Sequence, residues 1–143
     1  MKTRIEEITE NIKAWCNSHI IINSFTTDNI YDLQNVQYPV FWHNISGMKF
    51  ENGSVLLSFK MMILDKLQDD ESDIDKIQSD TALIVEDFNT YLNGSSDSEF
   101  YIESDISDIT PIADTVPDKC AGWRWSVDIE VGSLRCISHI PLD

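Results

Sequence analysis

Residues 52–94 constrain the fold most, because a long strand pattern is followed at once by a long helix pattern. Between Ser54 and Asp65 the side chains alternate, so that one face of the strand is fully apolar and the other is mixed. The apolar face is formed by Val55, Leu57, Phe59, Met61 and Ile63. This period of two predicts a central strand that is mostly buried.

The helix pattern begins a few residues later. Asp70 or Ser72 is the predicted N-cap, and the pair Asn93-Gly94 supplies a stop signal. Spacings of three and four place one stripe on a single helical face, formed by Ile74, Ile77, Thr81, Ile84, Phe88 and Tyr91. An apolar stripe of this length has to lie on a sheet, so we expect Ile77, Ile84 and Phe88 to be buried against the preceding strand.

The rest of the chain predicts one more helix and several strands. Residues 3–22 repeat the helical spacing, and residues 23–37 are polar and irregular. Turns are predicted at Ser46-Gly47 and at residues 51–53. Strands are predicted at residues 38–45, 100–103, 106–116 and 122–131, with a candidate last strand at 133–140.

These elements predict a single α+β domain over residues 1–143. In this two-layer sandwich, two amphipathic helices pack on one face of a mostly antiparallel sheet, in the order α-β-β-α-β-β-β. In the strand at 122–131, Trp123 and Trp125 point towards the helices and Arg124, Asp128 and Glu130 point away. The outer face is left for solvent or for the surface of another molecule.

The charge and the cysteines limit the classes of function. With 25 acidic residues against 10 basic ones, the net charge is -15, which disfavours tight binding to a nucleic-acid backbone. The N-terminus has no apolar signal segment, and no run of about 18 apolar residues occurs. We therefore expect a protein that stays in the cytoplasm or enters a particle assembled there, with Cys16, Cys120 and Cys136 as reduced thiols.

Motifs of catalysis and cofactor binding are not found. The sequence has no glycine-rich phosphate loop, nucleophile elbow or H-E-x-x-H pair, and the acidic residues 69–75 lack the glycine of a calcium loop. Cys136 and His139 have half the spacing of a zinc site, with unrelated strand residues as the alternative. His43 is expected on the polar face of the sheet, and His19 in the core or at its rim. We predict no enzymatic activity, no cofactor and no metal.

Taken in order, several segments resemble the tail-terminator and tail-completion proteins of tailed bacteriophages. They are the N-terminal helix, Tyr-Pro-Val-Phe-Trp at 38–42, Ile-Leu-Asp-Lys-Leu at 63–67, the helix pattern at 79–88 and Gly-Trp-Arg-Trp-Ser-Val-Asp-Ile-Glu-Val at 122–131. The resemblance covers residues 1–131, and the remaining C-terminal residues match nothing in the family.

The resemblance implies a virion structural protein of the neck or tail, made in the host bacterial cytoplasm. Copies of the chain would form a six- or twelve-fold ring, a head–tail connector between the portal or head side and the tail. Its partners would be portal, connector or tail proteins, DNA would pass through without specific binding, and no membrane is involved. In short-tailed phages, including the crAss-like group, similar folds serve as ring layers.

The resemblance also implies that a sheet face or loops surround the DNA channel. The acids best suited to line it are Asp128, Glu130, Asp97 and Glu99, because carboxylates repel phosphates over about 8 Å at physiological salt. Arg124 is expected to pair with a carboxylate of a neighbouring subunit. Solvated surface is the simpler alternative for these groups. The alternative function is a protein-binding module that grips its partner through the aromatic strand of Trp123 and Trp125.

Overall fold

The computed structural model describes residues 3–27, 36–67, 74–94, 103–115 and 120–135. This part of the chain forms two long helices and five strands. In chain order they are α1 (Arg4–Ser18), β1 (Ser24–Thr26), β2 (Val40–Glu51), β3 (Ser54–Lys66), α2 (Ile74–Gly94), β4 (Glu103–Thr115) and β5 (Cys120–Val131).

The strands form one sheet in the order β1-β2-β3-β5-β4. Only the short β1 pairs in parallel, with β2, and every other pair is antiparallel. Both helices lie on the same face, with α2 over β3 and β5 and α1 beside β1 and β2. The predicted fold class, an α+β sandwich with a mostly antiparallel sheet and two helices on one face, is confirmed.

The core lies between the helices and one face of the sheet. The alternating apolar residues predicted for β3 and for β5 are buried there, together with the stripe of α2. Phe88 is fully buried, and its ring lies 5.3 Å from that of Trp15, 5.4 Å from that of Phe41 and 5.8 Å from that of Trp125. Both helices and two strands therefore meet at one side chain.

Helix α1 is shorter than the sequence pattern predicts. The Thr3 hydroxyl accepts a hydrogen bond from the Glu6 N–H, as the capping pattern indicates, but the helix ends at Ser18. His19 adopts an extended conformation, and its Nε2 lies 2.9 Å from a carboxylate oxygen of Asp87 on α2. This contact places His19 at the rim of the core, one of the two positions expected, and ties the end of α1 to α2.

Strand β2 runs through the predicted turn at Ser46-Gly47. The pairing with β3 slips by one residue between Ile45 and Gly47, so this position is a bulge inside a continuous strand. The turn predicted at residues 51–53 does occur, and Gly53, with a φ of +82°, takes the left-handed conformation that a tight hairpin requires.

Two further differences concern short or interrupted strands. Strand β1 lies within the segment predicted to be irregular, because three residues are too few for a periodic signal. Strand β4 is a single strand from 103 to 115, where the sequence predicts two strands, at 100–103 and 106–116. Near the C-terminus, Arg135 forms an isolated bridge with Thr3. The predicted caps Asp70 and Ser72 and residues 136–140 lie outside the described residues.

Candidate functional surface

The face of the sheet opposite the helices is called the open face below. Within the described ranges no helix packs against it. The pairing of β3 with β5 and of β5 with β4 fixes its composition, since alternate residues share a face. From β3 and β5 it receives Ser54, Leu56, Ser58, Lys60, Met62, Arg124, Ser126, Asp128 and Glu130.

Acidic residues gather at the end of the open face that lies near the β2–β3 hairpin. The Ser58 hydroxyl donates to Asp128 Oδ1 over 2.7 Å, and the Ser54 hydroxyl donates to Glu130 Oε1 over 2.7 Å. In the next strand, the pairing partner of Asp128 is Asp105. Like charges directly opposite each other destabilise a sheet, so this arrangement is one that folding alone does not favour.

Basic residues lie further along the open face, between these acids and a far end that is buried in a small apolar cluster around Leu64. Arg124 Nε donates to the Thr110 hydroxyl over 3.0 Å, and Lys60 is exposed nearby. With Asp108 and Ser126 these side chains line a shallow hollow of about 550 Å³. The open face therefore carries an acidic region near the hairpin and a basic region beside it, which the net charge of the chain does not reveal.

The structure brings together three of the five residues singled out from the sequence. Asp128, Glu130 and Arg124 share the open face, as the alternation in β5 predicts. Asp97 and Glu99 lie outside the described residues. Within the chain, Arg124 contacts Thr110, and its pairing with a neighbouring subunit stays a prediction.

The aromatic strand surface of the alternative function is buried at Trp125 and half-buried at Trp123. Trp125 is 2% exposed, and Trp123 Nε1 donates to the backbone carbonyl of Gln78 on α2 over 2.8 Å. Both indoles therefore belong to the core side of β5, where Trp125 is buried and Trp123 is half-buried at the edge of α2.

The expectation that His43 lies on the polar face of the sheet is wrong. His43 is 2% exposed and faces the helices, because it pairs with Met61 on the core side of β3. Its Nε2 lies 3.1 Å from the Thr9 hydroxyl of α1, and its ring stacks on Phe59 at 4.9 Å. Among the described residues its Nδ1 has no hydrogen-bond partner.

Burial of His43 predicts a loss of stability in mild acid. Burial lowers the pKa of His43 from 6.5 to about 4. The unfolded chain therefore takes up a proton below about pH 6.5 while the folded chain does not, so the free energy of unfolding falls as the pH is lowered towards 4. Between about pH 7.5 and about pH 5 we expect this group to remove about 2 kcal/mol, measured by urea denaturation.

The matched control is His43→Gln, which keeps a polar group near Thr9 but cannot titrate. Carboxylates contribute equally to both proteins, so the difference between their unfolding free energies should shrink by about 2 kcal/mol across that interval. Identical pH dependence in the two proteins would contradict the buried, neutral state of His43.

The described cysteines are buried thiols. Cys16 and Cys120 form no disulfide, and burial raises the pKa of the Cys16 thiol, which makes it a poor nucleophile. Cys136 and His139, the predicted half of a zinc site, lie outside the described residues. In the part of the chain that the structure describes, no group of three or more His, Cys, Asp or Glu residues is placed to hold a metal ion.

A second surface was not predicted from the sequence. Strand β1 pairs with β2 only at residues 40–42, which leaves the outer side of residues 45–51 without a paired strand among the described residues. Three large apolar side chains are exposed here: Ile45, Met48 at 49% and Phe50 at 70%. This edge was not predicted because a turn was expected at Ser46-Gly47, where β2 in fact continues.

Comparisons with known proteins add no family to this geometry. No protein-family model matches the chain, and no curated protein matches it. Among the helices that the structure describes, none has the length and apolar character needed to cross a membrane. The residues of the open face are therefore the basis for any function proposed for it.

Proposed function

We propose that the protein is a structural subunit of the neck or tail of a tailed bacteriophage. Copies of it form a six- or twelve-fold ring that joins the portal or head side to the tail and encloses part of the DNA channel. The observation that best supports this proposal is the open face, where Asp128 and Asp105 oppose each other across neighbouring strands at a cost to folding.

An acidic wall suits a channel through which DNA has to slide. Binding to a DNA backbone requires cations that displace counterions, whereas carboxylates repel phosphates over about 8 Å at physiological salt. The serine hydroxyls of Ser54 and Ser58 hold Glu130 and Asp128 close to the sheet, so the charges keep fixed positions. Rings of such charges from several copies would line the channel without holding the DNA.

The basic region of the open face suits a protein contact. Arg124 and Lys60 are exposed and line a hollow with Asp108, further along the sheet from Asp128 and Glu130. Arginine forms paired hydrogen bonds with carboxylates, which gives such contacts both strength and direction. In the proposed ring, Arg124 meets a carboxylate of a neighbouring subunit or of the next protein layer.

The assembly state tests this proposal. The chain is produced together with the products of its neighbouring genes, and the complexes are weighed by native mass spectrometry. We expect a closed species of six or twelve copies, alone or attached to a portal, connector or tail protein. A chain that remains a monomer or a dimer with all of these neighbours present would contradict the proposal.

A further inference from the structure

The sheet ends in two edges that have opposite characters. The β2 edge is defined as the outer side of residues 45–51, and the β4 edge as the outer side of residues 103–110. Within the described residues no strand pairs with either. Each is bounded by a side-chain contact: the Asn44 amide donates to the Thr27 carbonyl, and the Gln78 amide donates to the Ile112 carbonyl.

The β2 edge is largely apolar, although it carries a bulge at 45–47 and one lysine. Natural monomers blunt such edges with charges or proline, and large exposed apolar side chains mark contact surfaces. Here Ile45, Met48 and Phe50 are exposed. The edge also carries an exposed ion pair, in which Lys49 Nζ lies 3.1 Å from Glu51 Oε1.

The β4 edge is acidic. Residues 103–115 contain four acids and no lysine or arginine, and Asp105 and Asp108 are exposed. A bulge at Asp108, whose φ is +56°, and Pro111, which has no N–H to donate, favour the first half of β4 for pairing with a further strand on its outer side. Two β4 edges would repel each other, while a β2 edge offers Lys49 and apolar surface.

The sheet order makes the two edges complementary in direction. The pairs β2–β3, β3–β5 and β5–β4 are all antiparallel, so β2 and β4 run in opposite directions. Two copies placed side by side in the same orientation therefore bring β2 of one against β4 of the next as an antiparallel pair, which can form a regular hydrogen-bonded ladder.

The two edges also lie at the same height along the direction of the strands. Following the pairing across the sheet, Ile45 is level with Ile106 and Met48 is level with Ser104. By the same pairing, Gly47 is level with Asp105. When the second copy is placed without a shift along the strands, Lys49 of one copy lies two residues along the ladder from Asp105 of the next. Diagonal neighbours of this kind, about 7 Å apart, are within reach of long side chains.

We infer that the β2 edge of one copy pairs with the β4 edge of a second copy, which extends the sheet from subunit to subunit. This inference rests on the proposed function in one respect, since it names the contact that holds neighbouring copies of the ring together. Each copy offers one β2 edge and one β4 edge, and such head-to-tail contacts propagate until a ring closes or a filament forms.

Charge reversal across the contact tests the inference. Lys49→Glu and Asp105→Lys each place like charges next to each other, and each should weaken self-association about ten-fold, measured by sedimentation velocity. The double variant Lys49→Glu with Asp105→Lys restores an opposite pair and should regain most of the lost affinity. The control is Lys13→Glu, a charge reversal on the exposed side of α1, which should leave association unchanged.

Three results would overturn the inference. One is a chain that stays monomeric at about 1 mM, the dissociation constant of an interface with a binding free energy of about 4 kcal/mol. Another is single variants that lose affinity without recovery in the double variant. The third is association that Asp105→Lys leaves intact and Lys49→Glu abolishes, which would indicate that two β2 edges pair with each other.

These results separate the inference from the proposed function. If the charge variants behave as expected but the chain is absent from phage particles, edge pairing stands and the phage role fails. If the chain forms a ring in the particle while the edges fail these tests, the phage role stands and the neighbours are held by other contacts.

Discussion

Substitution of Phe88 by alanine should lower the free energy of unfolding by about 3–5 kcal/mol, the usual cost of removing a fully buried aromatic ring. Phe88 is fully buried, and its ring meets Trp15 of α1, Phe41 of β2 and Trp125 of β5. No nearby side chain can fill the resulting space without leaving its own contacts, so the cavity remains.

The control for this prediction is Leu83→Ala on the same helix. Leu83 is 60% exposed, so its loss should change the free energy of unfolding by less than about 0.5 kcal/mol. Both variants are measured by urea denaturation at neutral pH. A loss below about 1 kcal/mol for Phe88→Ala would show that α2 buries a different face.

The second large effect is expected for Gly122→Ala. A Cβ atom at Gly122 would lie 1.9 Å from the carbonyl oxygen of Ile63 and 2.9 Å from its carbonyl carbon. These are backbone atoms of the neighbouring strand β3, which can move only if the strand pairing moves with them. We expect a loss of about 3 kcal/mol or more, at the upper end of the cost of overpacking.

Gly132→Ala supplies the matched comparison, because a Cβ at Gly132 would meet nothing within 4 Å. It should change the free energy of unfolding by less than about 0.5 kcal/mol. Equal stability of the two alanine variants would contradict the close approach of β5 to β3.

The long periodic segments were predictable because their signal is local. In β3, α2 and β5 the apolar residues follow one period over many residues, and burial follows the same pattern in the structure. Strand β1 could not be predicted, since its three residues are held by their pairing with β2 rather than by a pattern of their own.

The orientation of β2 shows where local patterns fail. Phe41, Trp42 and Val40 are all apolar, so alternation gives no phase near the start of the strand. The pairing of His43 with Met61 decides which side faces the helices, and that pairing depends on β3 and not on the pattern of β2 alone. This is why His43 was expected on the polar face although it is buried.

The candidate surface was predictable only in part. Alternation in β5 places Arg124, Asp128 and Glu130 on one face, which the structure confirms. The serine partners of the two acids lie 70 and 76 residues away in sequence, so their contacts depend on the register of β3 with β5. The two edges that have no paired strand among the described residues follow from the order of the whole sheet, which no local pattern encodes.

The most direct test of the proposed role is a density map of the assembled phage particle at side-chain resolution. The proposal predicts copies of this chain arranged in a ring at the neck or tail, with Asp128 and Glu130 facing the DNA channel and the two helices on the outer side. A map in which these two carboxylates face the outer wall or lie buried in a subunit contact would contradict it.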